Sequence, residues 1–170
     1  GSMSTPRHSH TVALLPTEGV LVVGGFNGAA GTTLDTCETF NIATGVWTAT
    51  GSLATPRRDH STAYLDNGLV LVAGGMEGSS VAGVQKLTCE LYDPAARTWS
   101  ATGSIATGRF YPTATVLTNG KVLLAGGYDH VGFHIATCEL YDPATGTWSA
   151  AAPLLQGRFI HTATRLPDGR

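Results

Sequence analysis

Charge is scarce in this sequence and neither sign dominates: 13% of the residues are Asp, Glu, Lys or Arg, and the formal net charge is −2 at pH 7. Such a surface has no basic stripe to neutralise a phosphate backbone, so nucleic acid is not an expected partner. Long hydrophobic runs are missing too. No apolar stretch approaches the ~20 residues of a membrane-spanning helix, and a membrane is not an expected partner either. The opening GSMSTPRHSH lacks the apolar core of a signal peptide. Gly1-Ser2 ahead of Met3 reads as the remnant of a cleaved tag, residues 1–3, and leaves the compartment unassigned. No segment carries helical periodicity of useful length. Cysteine is limited to Cys37, Cys89 and Cys138, an odd number that argues against a disulfide framework, and no CxxC pair marks a zinc site.

What is present is repetition. A composition 42% hydrophobic over 170 residues supports a sizeable core. The stretch TCELYDPATGTW at 137–148 repeats TCELYDPAARTW at 88–99 and, more loosely, TCETFNIATGVW at 36–47. Paired glycines Gly24-Gly25, Gly74-Gly75 and Gly126-Gly127 are separated by 50 and 52 residues, and Trp47, Trp99 and Trp148 by 52 and 49. Arg7, Arg57, Arg109 and Arg158 advance in steps of 50, 52 and 49. A period near 50 lies in the propeller range. Each unit reads as four strands: an alternating run such as HSTAYL, a turn at Asp66-Asn67-Gly68, an apolar run ending in two glycines, then a polar loop, KLTCELYDP and RTWSATGS. The cysteines then occupy one strand position three times, as small buried hydrophobes or, alternatively, as a metal cluster or reactive thiols. Trp47, Trp99 and Trp148, with Phe40, Tyr92 and Tyr141, supply the large rings for packing between stacked sheets.

These markers together resemble the kelch repeat, over the whole chain from about Ser4. The resemblance implies four-stranded β-propeller blades at 4–53, 54–105 and 106–154, with 155–170 repeating only the first strand of a fourth. Blade one departs most, with Phe40-Asn41-Ile42 where later units read Tyr-Asp-Pro. Three and a quarter units are too few for propellers of roughly 4–8 blades. An open arc would leave apolar blade faces and unpaired edges in water. Two chains of three blades would close a six-bladed ring, with Arg158 to Leu166 of one chain contesting the innermost-strand place of Val12 to Leu15 in the other. A fragment cut from a longer array is a second expectation, compatible with the first.

Candidate sites follow from the repeat. Arg7, Arg57, Arg109 and Arg158, with Arg58 beside one of them, each begin an innermost strand and so stand near the channel mouth. They would bind a carboxylate ligand or an acidic peptide, or else tie loop carbonyls to a neighbouring carboxylate. His10, His60 and His161 stand three residues on, with Pro112 in blade three, for packing or for a ring of metal-binding imidazoles. Asp129 and the unshared histidines His130 and His134 lie in the loop after the double glycine of blade three, and form a weak metal candidate. Some kelch-like propellers are copper enzymes of the galactose-oxidase type with a cysteine-modified tyrosine. That pattern is not matched, although Tyr111 and Tyr128 are unshared, and neither a catalytic residue nor a cofactor is expected. The leading expectation is a non-catalytic interaction module presenting the loops Phe26–Thr36, Met76–Thr88 and Tyr128–Thr137 to a protein partner. The alternative is a piece of a larger secreted enzyme or carbohydrate-binding protein with a sugar or metal site.

Overall fold

A computed structural model describes residues 1–17, 19–78, 83–129 and 131–168, and among these it contains strands and no helix. In chain order the first repeat holds β1 (Thr11–Leu15), β2 (Gly19–Val23), a short ribbon of β3 (Phe26–Asn27) and β4 (Thr32–Thr33), then β5 (Cys37–Asn41) and β6 (Val46–Thr50). The second holds β7 (Ser61–Tyr64), β8 (Val70–Ala73), a ribbon of β9 (Met76–Glu77) and β10 (Val84–Gln85), β11 (Cys89–Asp93) and β12 (Thr98–Thr102). The third holds β13 (Thr113–Val116), β14 (Val122–Ala125), β15 (Cys138–Asp142) and β16 (Thr147–Ala151). Each repeat forms a four-stranded antiparallel sheet with its strands in chain order: β1-β2-β5-β6, β7-β8-β11-β12 and β13-β14-β15-β16. The ribbons add structure to two loops whose polar text carried no strand signal.

Local chemistry accounts for the turns. Asp93 Oδ1 accepts from the N–H groups of Ala95 and Ala96, and Asp142 Oδ1 from that of Ala144. Asn41 Oδ1 does the same for Ala43 and Thr44, so blade one keeps the turn without the Asp-Pro text. The register is shared as well: Phe40 faces Trp47, Tyr92 faces Trp99 and Tyr141 faces Trp148 across β5–β6, β11–β12 and β15–β16. Ring centroids in these pairs lie 5.0, 5.1 and 5.0 Å apart.

Two apolar clusters hold the three blades together. In the first, Leu21, Val23 and Cys37 of blade one meet Val70, Val72, Tyr92 and Trp99 of blade two. In the second, Leu71, Ala73 and Cys89 of blade two meet Val122, Leu124, Tyr141 and Trp148 of blade three. All three cysteines are buried free thiols, Cys37 and Cys89 at these two junctions. Tyr92 and Tyr141 are wholly buried. An aromatic ring withdraws roughly 150–250 Å² from water, on the order of 4–6 kcal/mol of gross burial at about 25 cal/mol per Å². Their hydroxyls reach back to the last strand of the preceding blade, Tyr92 to Thr50 Oγ1 at 2.5 Å and Tyr141 to Thr102 Oγ1 at 2.7 Å. The indole N–H of Trp99 donates to the Gly51 carbonyl and that of Trp148 to the Gly103 carbonyl, both at 2.9 Å.

Residues 155–168 form no strand, which corrects the expected first strand of a fourth repeat. A strand needs a ladder partner, and none of the described residues pairs with this segment as one. The segment nevertheless follows the path of an innermost strand: Thr113 Oγ1 lies 3.2 Å from His161 Nε2, as Thr11 Oγ1 lies 2.7 Å from His60 Nε2 one junction earlier.

Candidate functional site

The repeated arginines are sealed, not displayed. Arg7 Nη1 donates to the carbonyls of Gly24 (2.9 Å) and Thr36 (2.7 Å), and Nη2 meets Glu38 Oε1 at 2.8 Å. Arg57 repeats this on Gly74, Thr88 and Glu90, and Arg109 on Gly126, Thr137 and Glu139. All three arginine side chains are fully buried. Each guanidinium thus clamps the end of its own β2, β8 or β14 to the strand that follows. This corrects the expectation of a cationic ring open to an acidic ligand at Arg7, Arg57 and Arg109, since guanidiniums buried in this way turn no donor to solvent. Burial lowers the pKa of Arg109, against the opposing pull of Glu139. Arg58 lies over the Phe26 ring at 4.5 Å with its Nε 3.8 Å from Asp59 Oδ2, an arrangement that spends its charge on cation–π and ion pairing. Arg158 alone is solvent-exposed, and among the described residues its guanidinium meets only the Gln156 carbonyl, at 3.4 Å.

The first glycine of each pair makes room for the next repeat's inner segment, and the second for that of its own repeat. Gly74 has φ +71° and a Cβ there would lie 2.7 Å from the Arg109 carbonyl, while on Gly126 it would lie 2.6 Å from the Arg158 carbonyl and 2.8 Å from the His161 ring. His60 and Pro112 pack in the same way on Gly24 and Gly74. His60 and His161 therefore pack against the preceding blade, and burial, with Arg57 and His10 adding to it, pushes His60 down to about 3. The pKa values of His10 and His161 are lowered too, again mainly by burial.

Where the innermost strands converge, a cleft of about 310 Å³ is lined by Ser9, His10, Asp59, His60, Tyr111 and His161, among others. Four residues one place before the histidine or proline position adopt left-handed backbone, Ser9, Asp59, Tyr111 and Ile160 at φ 55°, 55°, 56° and 50°. The strain links the blades: Asp59 N–H donates to the Ser9 carbonyl at 3.0 Å and Tyr111 N–H to the Asp59 carbonyl at 2.8 Å. Burial raises the Asp59 carboxyl, opposed by the Ser9 hydroxyl, Arg58 and the Tyr111 hydroxyl. Burial and the Asp59 charge together raise Tyr111. Beside this cleft an aromatic cluster forms from Phe110, Tyr111, Tyr128, His134 and Phe159, with Tyr128 and Phe159 4.8 Å apart and His134 and Phe159 5.0 Å apart. Hydroxyl and carboxylate groups next to aromatic faces suit a partner bearing hydrogen-bond donors and flat apolar groups. No sequence signal pointed to Asp59. It carries no repeated text, and only the convergence of the blades brings it to Ser9 and Tyr111.

Two members of the expected metal trio, Asp129 and His134, have other partners. Asp129 Oδ1 accepts from the N–H groups of Val131 and Phe133 and so closes its own loop. His134 stacks in the aromatic cluster, and His130 lies outside the described residues. Among the described residues no group of three His, Cys, Asp or Glu is arranged to hold a metal ion. Cys37 and Cys89, at the junctions, face apolar neighbours, and burial pushes their thiols up to about 11.

Repeated four-stranded antiparallel sheets, stacked through shared aromatic and aliphatic faces with their first strands converging, define an array of β-propeller blades. The kelch motif matches residues 6–53 and 109–155, so the chain belongs to the kelch-repeat family. The middle repeat, between those two stretches, carries the same clamp, glycine pair and tryptophan. Among curated proteins none matches the chain.

Proposed function

We propose that this chain is a non-catalytic half-propeller that closes a six-bladed ring with a second copy and offers the cleft and loops at its channel mouth to a protein partner. One observation carries the closure. At both internal junctions a tyrosine hydroxyl meets a threonine, Tyr92 with Thr50 and Tyr141 with Thr102. The equivalent positions on the two outward faces are Phe40 on blade one and Ala151 on blade three. Both partners of the hydrogen bond are replaced by apolar groups together. That is the exchange which costs little, whereas losing one partner would leave a buried polar group unpaired.

Other surface features support the same pairing. The leading face of blade one carries Val20, Val22, Phe40 and Trp47 where blade two buries Val70, Val72, Tyr92 and Trp99. The trailing face of blade three carries Leu123, Ala125, Cys138 and Leu140 where blade two presents Leu71, Ala73, Cys89 and Leu91. Exposed Val12 and Leu14 lie on β1 at the open end of the arc. Each terminal face fits the other and not itself, so two copies close through two identical contacts.

The loops make the protein-binding side. Val131 and Phe133 stand in solvent near the aromatic cluster, and Val84 and Leu87 in the loop before it. Light scattering on a size-exclusion column over a range of concentrations tests the ring. A dimer that dissociates only on dilution is the expected outcome, and a monomer throughout would sink the proposal.

A further inference from the structure

Two segments of this chain have the same structural role, and a closed ring has room for one of them at each junction. Residues 154–161 dock on blade three by the bonds with which residues 53–60 dock on blade one. Gly127 N–H donates to the Arg158 carbonyl at 2.8 Å, as Gly25 N–H donates to that of Arg57 at 2.9 Å. Leu154 N–H donates to the Ala136 carbonyl at 2.8 Å, as Leu53 N–H does to that of Asp35 at 2.9 Å. His161 covers Gly126 as His60 covers Gly24. The repeat puts Met3, Arg7 and His10 at the same positions as Leu154, Arg158 and His161. A second copy seating blade one on blade three would bring its own Met3–His10 to the place that Leu154–His161 already fill.

We propose that the C-terminal segment, from Leu154 onward, is a displaceable plug that imitates the second copy's N-terminal segment and must leave blade three before the ring closes. This rests on the ring reading above. The alternative is an exchange, in which the segment stays and becomes the innermost strand on the second copy's β2 while that copy's residues 4–15 leave. The relative hold of the two segments decides between them. The N-terminal one pairs with β2 over five residues, buries Ala13 and Leu15, and locks Arg7 onto Glu38. The C-terminal one forms no strand, leaves Leu155 and Ile160 exposed, and carries Arg158 without a carboxylate. It would also put the Thr164 hydroxyl where Ala13 sits among Leu21, Val23 and Leu53. The weakly held segment yields, because displacing it breaks few bonds and exposes little that is not exposed already.

The test compares the full chain with a chain ending at Pro153 and with full-length Gly157→Val. A Cβ at Gly157 would strike the His134 carbonyl, so this substitution undocks the segment without shortening the protein. Sedimentation equilibrium should give a dimer at least tenfold tighter for both variants. Hydrogen exchange on the full chain should show residues 154–168 losing protection, and residues 3–15 gaining it, as the dimer forms. A truncated chain with an unchanged or weakened dimer would overturn the plug and leave the ring standing, with loss of the dimer identifying the exchange instead. If all three chains stay monomeric, the ring itself is overturned and the plug with it. Gly157→Val keeps the test decisive if truncation unfolds blade three.

Discussion

Arg57 and Glu90 lie 2.7 Å apart with both side chains out of water, and the same pair recurs as Arg7–Glu38 and Arg109–Glu139 at 2.8 Å. Removing one member strands the other as an unpaired buried charge, which costs about 3–5 kcal/mol. Glu90→Ala should therefore lower the urea midpoint sharply, since Glu90 also accepts the Ala54 N–H. The partly exposed pair Lys121–Asp142, 3.0 Å apart, is the contrast: Lys121→Ala, which leaves the Asp142 turn intact, should barely move the midpoint.

Acid should weaken the fold before the carboxylates titrate. His60 falls to about 3 in the folded chain, chiefly through burial, against about 6.5 when unfolded. The unfolded state therefore binds the extra proton between those values, and stability present above pH 6.5 is lost as pH falls toward 3. One such proton gives a slope of about 1.4 kcal/mol per pH unit. Urea melts from pH 7 to pH 4 should show this decline, and His60→Gln should flatten it.

The thiols of Cys37 and Cys89, pushed up to about 11 by burial, should be silent toward a maleimide or disulfide reagent in the native protein at pH 7.5. All three cysteines should react once urea unfolds the chain. Fast labelling of Cys89 in the native state would show that the junction between blades two and three opens.

Phe40 and Ala151 can be tested as a pair. Phe40→Tyr alone should weaken the dimer, because the new hydroxyl is buried against Ala151, at a cost of roughly 1–3 kcal/mol per contact. Adding Ala151→Thr recreates the partner found at Thr50 and Thr102 and should recover most of that loss. Two substitutions that act independently would mean these residues do not meet.

Trp47→Ala should separate assembly from folding. Trp99 and Trp148 are held inside the chain by Gly51 and Gly103, while the corresponding acceptor for Trp47 would be the Ala152 carbonyl of a second copy. Loss of a tryptophan from an interface typically costs about 2 kcal/mol or more of binding. The Trp47 variant should dissociate at higher concentration with its melting temperature nearly unchanged in the monomer, whereas Trp99→Ala should lower the melting temperature itself.

Spacing alone determined much of this protein. Co-phased glycine pairs, tryptophans and arginines define three units, and alternation within each unit defines four strands, because register and turn chemistry are local properties written in neighbouring residues. The kelch assignment follows from the same text. Even the departure at Phe40-Asn41-Ile42 is locally intelligible, since Asn41 closes the turn as Asp93 does.

Tertiary structure alone decided what the charges and unshared residues do. A repeated arginine reads equally as a ligand clamp or as a structural tie, and only the burial of Glu38, Glu90 and Glu139 beside it selects the tie. Asp59 and Tyr111 stand one repeat apart at a position where residue type is not shared, and they meet because the inner strands converge. The tail reads as a strand from its text yet forms none, since a strand is completed by a partner and not by its own side chains. Local pattern specifies the blade. The contacts between blades, which depend on which distant residues the stacking brings together, specify the site.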